Sequence, residues 1–203
     1  MGPWFRGHKM AQWDLRPGLY REYGDYQTVK EKEIEDEIRE EFIVRAPILS
    51  ENLPEGEEDR AEWQWYFMMQ HFGTPTRLLD WTDGSLIALY FAVKDNPGLY
   101  DAAVWTLDPY WLNKRAIEQR LIGPGWVIPP AAPGISKSLR KKIGLWLPKR
   151  FSKLRGLPGA PVAIYPTHTV RRISSQRSCF TIHGTDEWAL DKLYEGSTLA
   201  WPK

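Results

Sequence analysis

The apolar positions of this 203-residue chain fall into short blocks of differing period, without an internal repeat. Trp4-Phe5-Arg6-Gly7-His8 is short and aromatic, and predicts a first strand closing in a glycine turn. Between residues 29 and 46, Ile34, Ile38 and Phe42 recur at every fourth position, an apolar stripe that predicts a helix. The acidic run around Glu31–Glu41 then reads as its solvated face, and Pro47 as the residue just past its end. Ser50–Asp59, with Pro54 and Gly56, reads as an exposed loop. A second helix is predicted from about Asp59 to His71, with Trp65, Met68 and Met69 facing inward and Gly73 and Pro75 stopping it.

Thr76–Trp81 reads as a short strand and Ser85–Val93 as a buried helix, whose Ala88 and Ala92 permit close packing. Ala102–Leu107 is a strand candidate ending at Asp108-Pro109, followed by a short helix near Tyr110–Gln119 and a Pro/Gly-rich stretch at 123–134. Val162–Tyr165, Arg171–Ser174 and Cys179–His183 are closing strand candidates. Short strands mixed with non-alternating helices predict an α+β fold, a mixed sheet with flanking helices, built as a single domain over residues 1–203.

Composition narrows the class. Hydrophobic content of 42% and charged content of 26% exclude wholesale disorder. The one cysteine, Cys179, excludes an internal disulfide and cannot build a cysteine-based metal site alone, so a reducing, cytoplasmic compartment is expected. No apolar run approaches the roughly 18 residues that suggest a membrane span. Eleven tryptophans are many for this length, and most are assigned to the core.

The net charge of +1 hides an imbalance. Residues 1–113 carry 11 Lys/Arg against 21 Asp/Glu, and residues 114–203 carry 16 against 5. Either the basic half meets a polyanion or the two halves attract each other. The basic residues concentrate in 137–155, where Lys137, Arg140, Lys141, Lys142, Lys149, Arg150, Lys153 and Arg155 occur with no acid. They suit a DNA or RNA backbone, with Trp146 or Phe151 stacking on bases, and equally suit a solvated face.

The candidate chemistry lies nearer the N-terminus. Arg6 is a planar, permanently charged fork for phosphate or carboxylate, or else one half of a buried ion pair. Gly7 lets backbone approach a ligand closely. From His71 to Thr82 an imidazole, the Arg77 guanidinium, the Asp80 carboxylate, the Trp81 stacking face and the Thr82 hydroxyl fall within twelve residues. His71 can exchange a proton near neutral pH. Asp80 can act as a base, orient a ribose hydroxyl, or pair with Arg77 or Arg6. Thr82 can bind a ligand or cap the helix beginning near Gly84–Ser85. No compact cluster has metal-ligand spacing, so no metal is expected.

Phe5-Arg6-Gly7, His71-Phe72-Gly73-Thr74-Pro75-Thr76-Arg77-Leu78-Leu79-Asp80-Trp81-Thr82 and Ala88-Leu89-Tyr90-Phe91-Ala92 together resemble the FRG domain family, named for its Phe/Tyr-Arg-Gly motif. Gln176 with Phe180-Thr181-Ile182-His183 resembles that family's C-terminal signature, so the likeness extends over nearly the whole chain. A remoter likeness, to ADP-ribosyltransferases, implies an NAD-using enzyme with a helical insertion between the Arg6 strand and the Asp80 segment. It implies that Arg6 holds the pyrophosphate and Gly7 admits the nicotinamide amide. His71, Asp80 and Thr82 would position the ribose or move a proton, Gln176 would bind a ribose hydroxyl, and Arg77, Trp81 and His183 would line the NAD site. The sequence departs from the transferase pattern where Ser174-Ser175-Gln176 stands at the catalytic glutamate position, since an amide supplies no negative charge. Transfer to nucleic acid, in a toxin or phage-defence setting, would join this site to the basic run. The alternative is a nucleic-acid-binding or nucleotide-sensing module without turnover.

Overall fold

In the computed structural model, residues 2–22, 29–56, 58–118, 146–147, 159–166, 178–185 and 188–193 are described. Their elements are β1 (Trp4–His8), α1 (Gly18–Glu22), α2 (Val29–Leu49), α3 (Glu58–His71), β2 (Leu78–Thr82), α4 (Ser85–Val93), β3 (Ala103–Leu107), α5 (Pro109–Glu118), β4 (Val162–Ile164), β5 (Ser178–Ile182) and the short α6 (Leu190–Leu193). The five strands form one open sheet in the order β3-β1-β2-β5-β4, every neighbouring pair antiparallel. The fold is α+β. Arg171–Ser174 and most of 137–155 lie outside the described residues. Among those that are described, no helix is long and apolar enough to cross a membrane.

Alternation along the strands sorts side chains into two cores. Leu78, Phe180, Ile182, Val162 and Ile164 point to the face covered by α2 and α3, where Trp63, Tyr66, Phe67 and Met69 meet them. Leu79, Trp81, Cys179 and Ala163 point to the opposite face, with Trp4, Leu107 and Leu112 of α5. Cys179 is thus a small buried strand residue.

Three sequence expectations change. Glu35 is not on a solvated helix face but 1% exposed, and Arg39 is buried with Glu62, bonded at 2.9 and 2.6 Å. A 3.6-residue period turns Glu35 towards the Ile38 side, and the buried cation Arg77 awaits it there. Pro47 lies inside the last turn of α2, which continues to Leu49 through the Ser50 N–H bond to the Ala46 carbonyl. An exposed final turn tolerates the missing donor. Finally, α4 is not a buried helix: only Ala88 and Ala92 are enclosed, Ile87 is half-buried, and its other large apolar side chains are exposed.

Gly7 explains the last point. It lies within β1 rather than in a turn, and a Cβ there would fall on the Ala88 carbonyl and come within 2.6 Å of the Ala92 nitrogen. Helix α4 therefore rests its backbone on the strand through small residues, and its bulk turns away.

A candidate ligand cleft between strands β1 and β2

Strand β1 pairs with β3 along its whole length, but with β2 at the single position Phe5↔Thr82. Beyond that pair the two strands part. A cleft of about 790 Å³ opens there, walled by β1, the residues after it, the end of α3, β2 and the inner flank of α4. That volume is within the range of small-molecule and cofactor sites.

Arg6 is set at its centre by three fixed contacts. Its Nε donates to His8 Nε2 at 2.9 Å, its Nη1 donates to the Asp80 carbonyl at 2.7 Å, and Nη1 lies 3.9 Å from the Asp80 carboxylate. Arg6 thereby bridges the gap where no β1 backbone donor reaches β2. Its Nη2 has no hydrogen bond among the described residues, and 17% of the side chain is exposed to the cleft. Burial lowers the Arg6 pKa, Asp80 opposes that shift, and Arg21 adds to it. The converging positive charge favours an anionic ligand.

His8 holds the arginine. Because Nε2 accepts from Arg6, the neutral ring must carry its proton on Nδ1, which then donates to the Trp13 carbonyl at 3.1 Å. The Trp105 indole nitrogen also lies 3.2 Å from Nδ1, but it has no lone pair to reach in that tautomer. Burial, then the Arg6 charge, push the His8 pKa down to about 4, so the ring is a neutral acceptor near pH 7.

Asp80 is exposed and accepts from Gln70 Nε2 at 2.7 Å. Gln70 in turn accepts from Thr76 Oγ1 at 2.5 Å, so α3 sets the carboxylate's orientation. His71, the last residue of α3, is exposed on the same wall. Thr82 lines the cleft too, with its hydroxyl accepting the Gly84 N–H at 3.2 Å just before α4. Trp81 touches the cleft but is 3% exposed in the core, with Nε1 donating to Thr181 Oγ1, so no open stacking face remains. Gly7 lines the cleft by its backbone, and the side left by its missing side chain is filled by α4.

Three sequence-selected residues lie elsewhere. Arg77 is 1% exposed: Nε donates to both Glu35 oxygens at 3.0 and 2.9 Å, Nη1 to the His183 carbonyl at 2.7 Å, and Nη2 to the Trp146 carbonyl. Tyr66 donates to Glu35 and accepts from the Arg77 backbone N–H. Burial alone would lower the Arg77 pKa, but the Glu35 carboxylate, with Tyr66 and Tyr20, carries it upward. Burial likewise pushes Glu35 up, against the pull of Arg77. The ionised pair governs, because the fixed guanidinium fork is met by both carboxylate oxygens. Arg77 is therefore a structural cation and no ligand-binding residue.

His183 is fully buried and no part of the cleft wall, with no full hydrogen bond to either ring nitrogen among the described residues. Burial, then Arg77 and Arg16, take its pKa down to about 3, with only a weak opposing contribution from the Trp188 backbone. Trp146 is fully buried, its indole nitrogen 3.4 Å from the Ala160 carbonyl, and cannot stack on a base. Gln176, Lys141, Lys142, Lys149, Arg150 and Lys153 lie outside the described residues. Sequence reading passed over His8, Gln70 and the cleft cations Lys9, Arg16 and Arg21. His8 had a usable signal, since it stands two residues from Arg6 on the same strand face.

Residues 2–98 match the family model of the FRG domain. This chain carries an FRG domain. The match spans β1 to α4, so it includes the β1, α3, β2 and α4 parts of the cleft and the Glu35–Arg77 pair, and it stops short of Trp146, Gln176 and His183. No curated protein and no solved structure matches the chain.

Proposed function

We propose that the FRG domain binds NAD in this cleft and transfers its ADP-ribose, with Arg6 as the pyrophosphate anchor. The observation that carries the reading is an arginine in the cleft wall that is pinned at Nε and Nη1, partly exposed and beside a carboxylate, with no hydrogen bond at Nη2 among the described residues. A pre-set guanidinium fork suits a phosphate oxygen, and it loses little freedom when the ligand arrives. Cleaving the nicotinamide–ribose bond develops positive charge on the ribose carbon while nicotinamide leaves with the bonding pair. A carboxylate beside that carbon stabilises the cation until an acceptor attacks. Asp80 is the cleft carboxylate next to Arg6, and His71, which lines the same cleft, would take the acceptor's proton.

One observation favours the second reading, nucleotide binding without turnover. The Asp80 carboxylate already accepts from Gln70 and lies within ion-pair reach of Arg6, both of which reduce its charge towards a ligand. Nucleic acid as acceptor rests on the basic run alone, because Trp146 is core. A cytoplasmic setting accords with a sequence whose one cysteine, Cys179, leaves no internal disulfide.

Labelled NAD, incubated with the protein alone and with DNA, RNA or mixed protein, tests both readings through nicotinamide release and label transfer. Arg6→Ala should weaken NAD binding about 100-fold or more, the loss expected for two charge-assisted hydrogen bonds at ~1.5–3 kcal/mol each, with the melting curve little changed. NAD binding without release would establish the second reading, and absence of binding would remove both.

A further inference from the structure

Helix α4 has its polarity reversed for a helix on a monomer surface. Its small residues Ala88 and Ala92 meet β1, while Leu86, Leu89, Tyr90 and Val93 face outward, from 78% exposed at Leu86 to 48% at Leu89. These four stand at i, i+3, i+4 and i+7, the spacing of one continuous stripe and of a helix–helix seam. No charged residue occurs between Ser85 and Val93. Val104 extends the patch: it stands opposite Gly7 in the register, therefore on the α4 side of the sheet, and is 41% exposed. Exposed Leu99 and Tyr100 follow α4 along the chain. At about 100 Å² for each half-exposed side chain, the four stripe residues and Val104 present roughly 500 Å² of apolar surface, over half of the ~800 Å² per partner of a standard interface.

We infer that this patch is the contact between two copies of the chain, with α4 packed antiparallel against the partner's α4 across a two-fold axis. The charges at the helix ends select both the partner and the direction. Asp83 is exposed just before the N-terminus, and Lys94 is exposed just after the C-terminus, its ammonium 5.6 Å over the Tyr90 ring. An antiparallel pairing centred near Leu89 places Asp83 of each copy beside the partner's Lys94 and opposes the two helix dipoles. A parallel pairing would set Asp83 against Asp83 and Lys94 against Lys94. A two-fold contact requires one patch to complement itself, and an uncharged stripe with opposite charges at equal reach on its two ends does so. The consequence for the cleft is mechanical: the helix that carries the backbone of Gly7, next to Arg6, would be clamped between its own sheet and a second copy.

Sedimentation equilibrium of the full chain over a range of concentrations tests this directly. A dimer is expected for the wild type. Leu89→Glu, which brings two carboxylates together near the axis, should give a monomer whose far-UV circular-dichroism spectrum is unchanged, with a melting point that no longer rises with protein concentration. Asp83→Lys alone and Lys94→Asp alone should each weaken dimerisation about 10-fold, while the double swap restores it, because like charges meet in either single variant only. A monomeric wild type at every concentration, or a dimer indifferent to Leu89→Glu, would overturn the inference. Failure of the double swap to restore dimerisation would overturn the antiparallel arrangement.

Discussion

Two arginines from adjacent parts of the FRG domain end in opposite circumstances. Arg77 has its carboxylate, two carbonyls and an enclosing wall of Tyr66, so every nitrogen of its fork is engaged. Arg6 is held as firmly but incompletely, by His8 and a carbonyl, with no hydrogen bond at Nη2 among the described residues, its side chain in the wall of an open cleft and its nearest carboxylate at 3.9 Å. The chemical group is identical. What differs is whether the fold supplies the whole counter-charge or leaves part of it for a ligand. Arg77 ties α2, α3, β2 and the end of β5 together, and Arg6 spans a gap that the same sheet leaves between β1 and β2.

The sharpest way to break the comparison is to remove each guanidinium. Arg77→Ala leaves Glu35 buried and without its cation, and removal of one partner from a buried ion pair costs about 3–5 kcal/mol. Urea denaturation should show that loss, whereas Arg6→Ala should leave the midpoint nearly in place. Arg77→Met combined with Glu35→Leu should recover much of the loss, since no uncompensated charge remains. If Arg6→Ala proves as destabilising as Arg77→Ala, the distinction between a structural and a ligand-facing arginine fails.

Acid separates the two regions next. His183 stands against Arg77 and has a pKa of about 3, and His8 stands against Arg6 with a pKa of about 4, both below the ordinary 6.5. A histidine with a depressed folded-state pKa leaves the unfolded chain holding the extra proton, so its contribution to stability is complete above about 6.5 and declines as pH falls. For His183 the decline runs from about 6.5 to 3, and for His8 from about 6.5 to 4. Stability measured against pH should therefore fall on acidification, and His183→Leu should flatten that limb more than His8→Gln. An unchanged limb in His183→Leu would mean that the buried ring already has a partner for its proton.

How much of this was legible in the sequence follows the range of the interactions. Strand β1, α4 and β5 declare themselves through local period, and the α+β class follows from their order. The meeting of Arg6 with Asp80 was foreseen only as one of several pairings. The fate of Arg77 was not, because its counter-ion Glu35 is 42 positions away inside an acidic run that a one-dimensional reading assigns to solvent. Trp146 and α4 erred in opposite directions for one reason: hydrophobicity states that a residue prefers burial, and only packing states what buries it. Trp146, among cations in sequence, is core, while Leu86 and Tyr90, in the most apolar stretch of the domain, face outward because Gly7 accepts only a small-residue face.

The smallest expected effect tests the mechanism most closely. His8 lines the cleft but gives its Nε2 to Arg6 Nε, so in the proposed reading it acts as a positioning residue. His8→Ala should weaken NAD binding about 10-fold, the worth of one hydrogen bond to a charged group at roughly 1.5 kcal/mol or slightly less. His8→Gln offers an amide oxygen to the same nitrogen and should restore most of that affinity. The decisive comparison is the double-mutant cycle measured by binding calorimetry: once Arg6 is alanine, His8→Ala should cost nothing more, because the group it orients is gone. Additive losses would show that His8 meets the ligand itself, and the cleft would then have two binding groups on β1 rather than one arginine and its support.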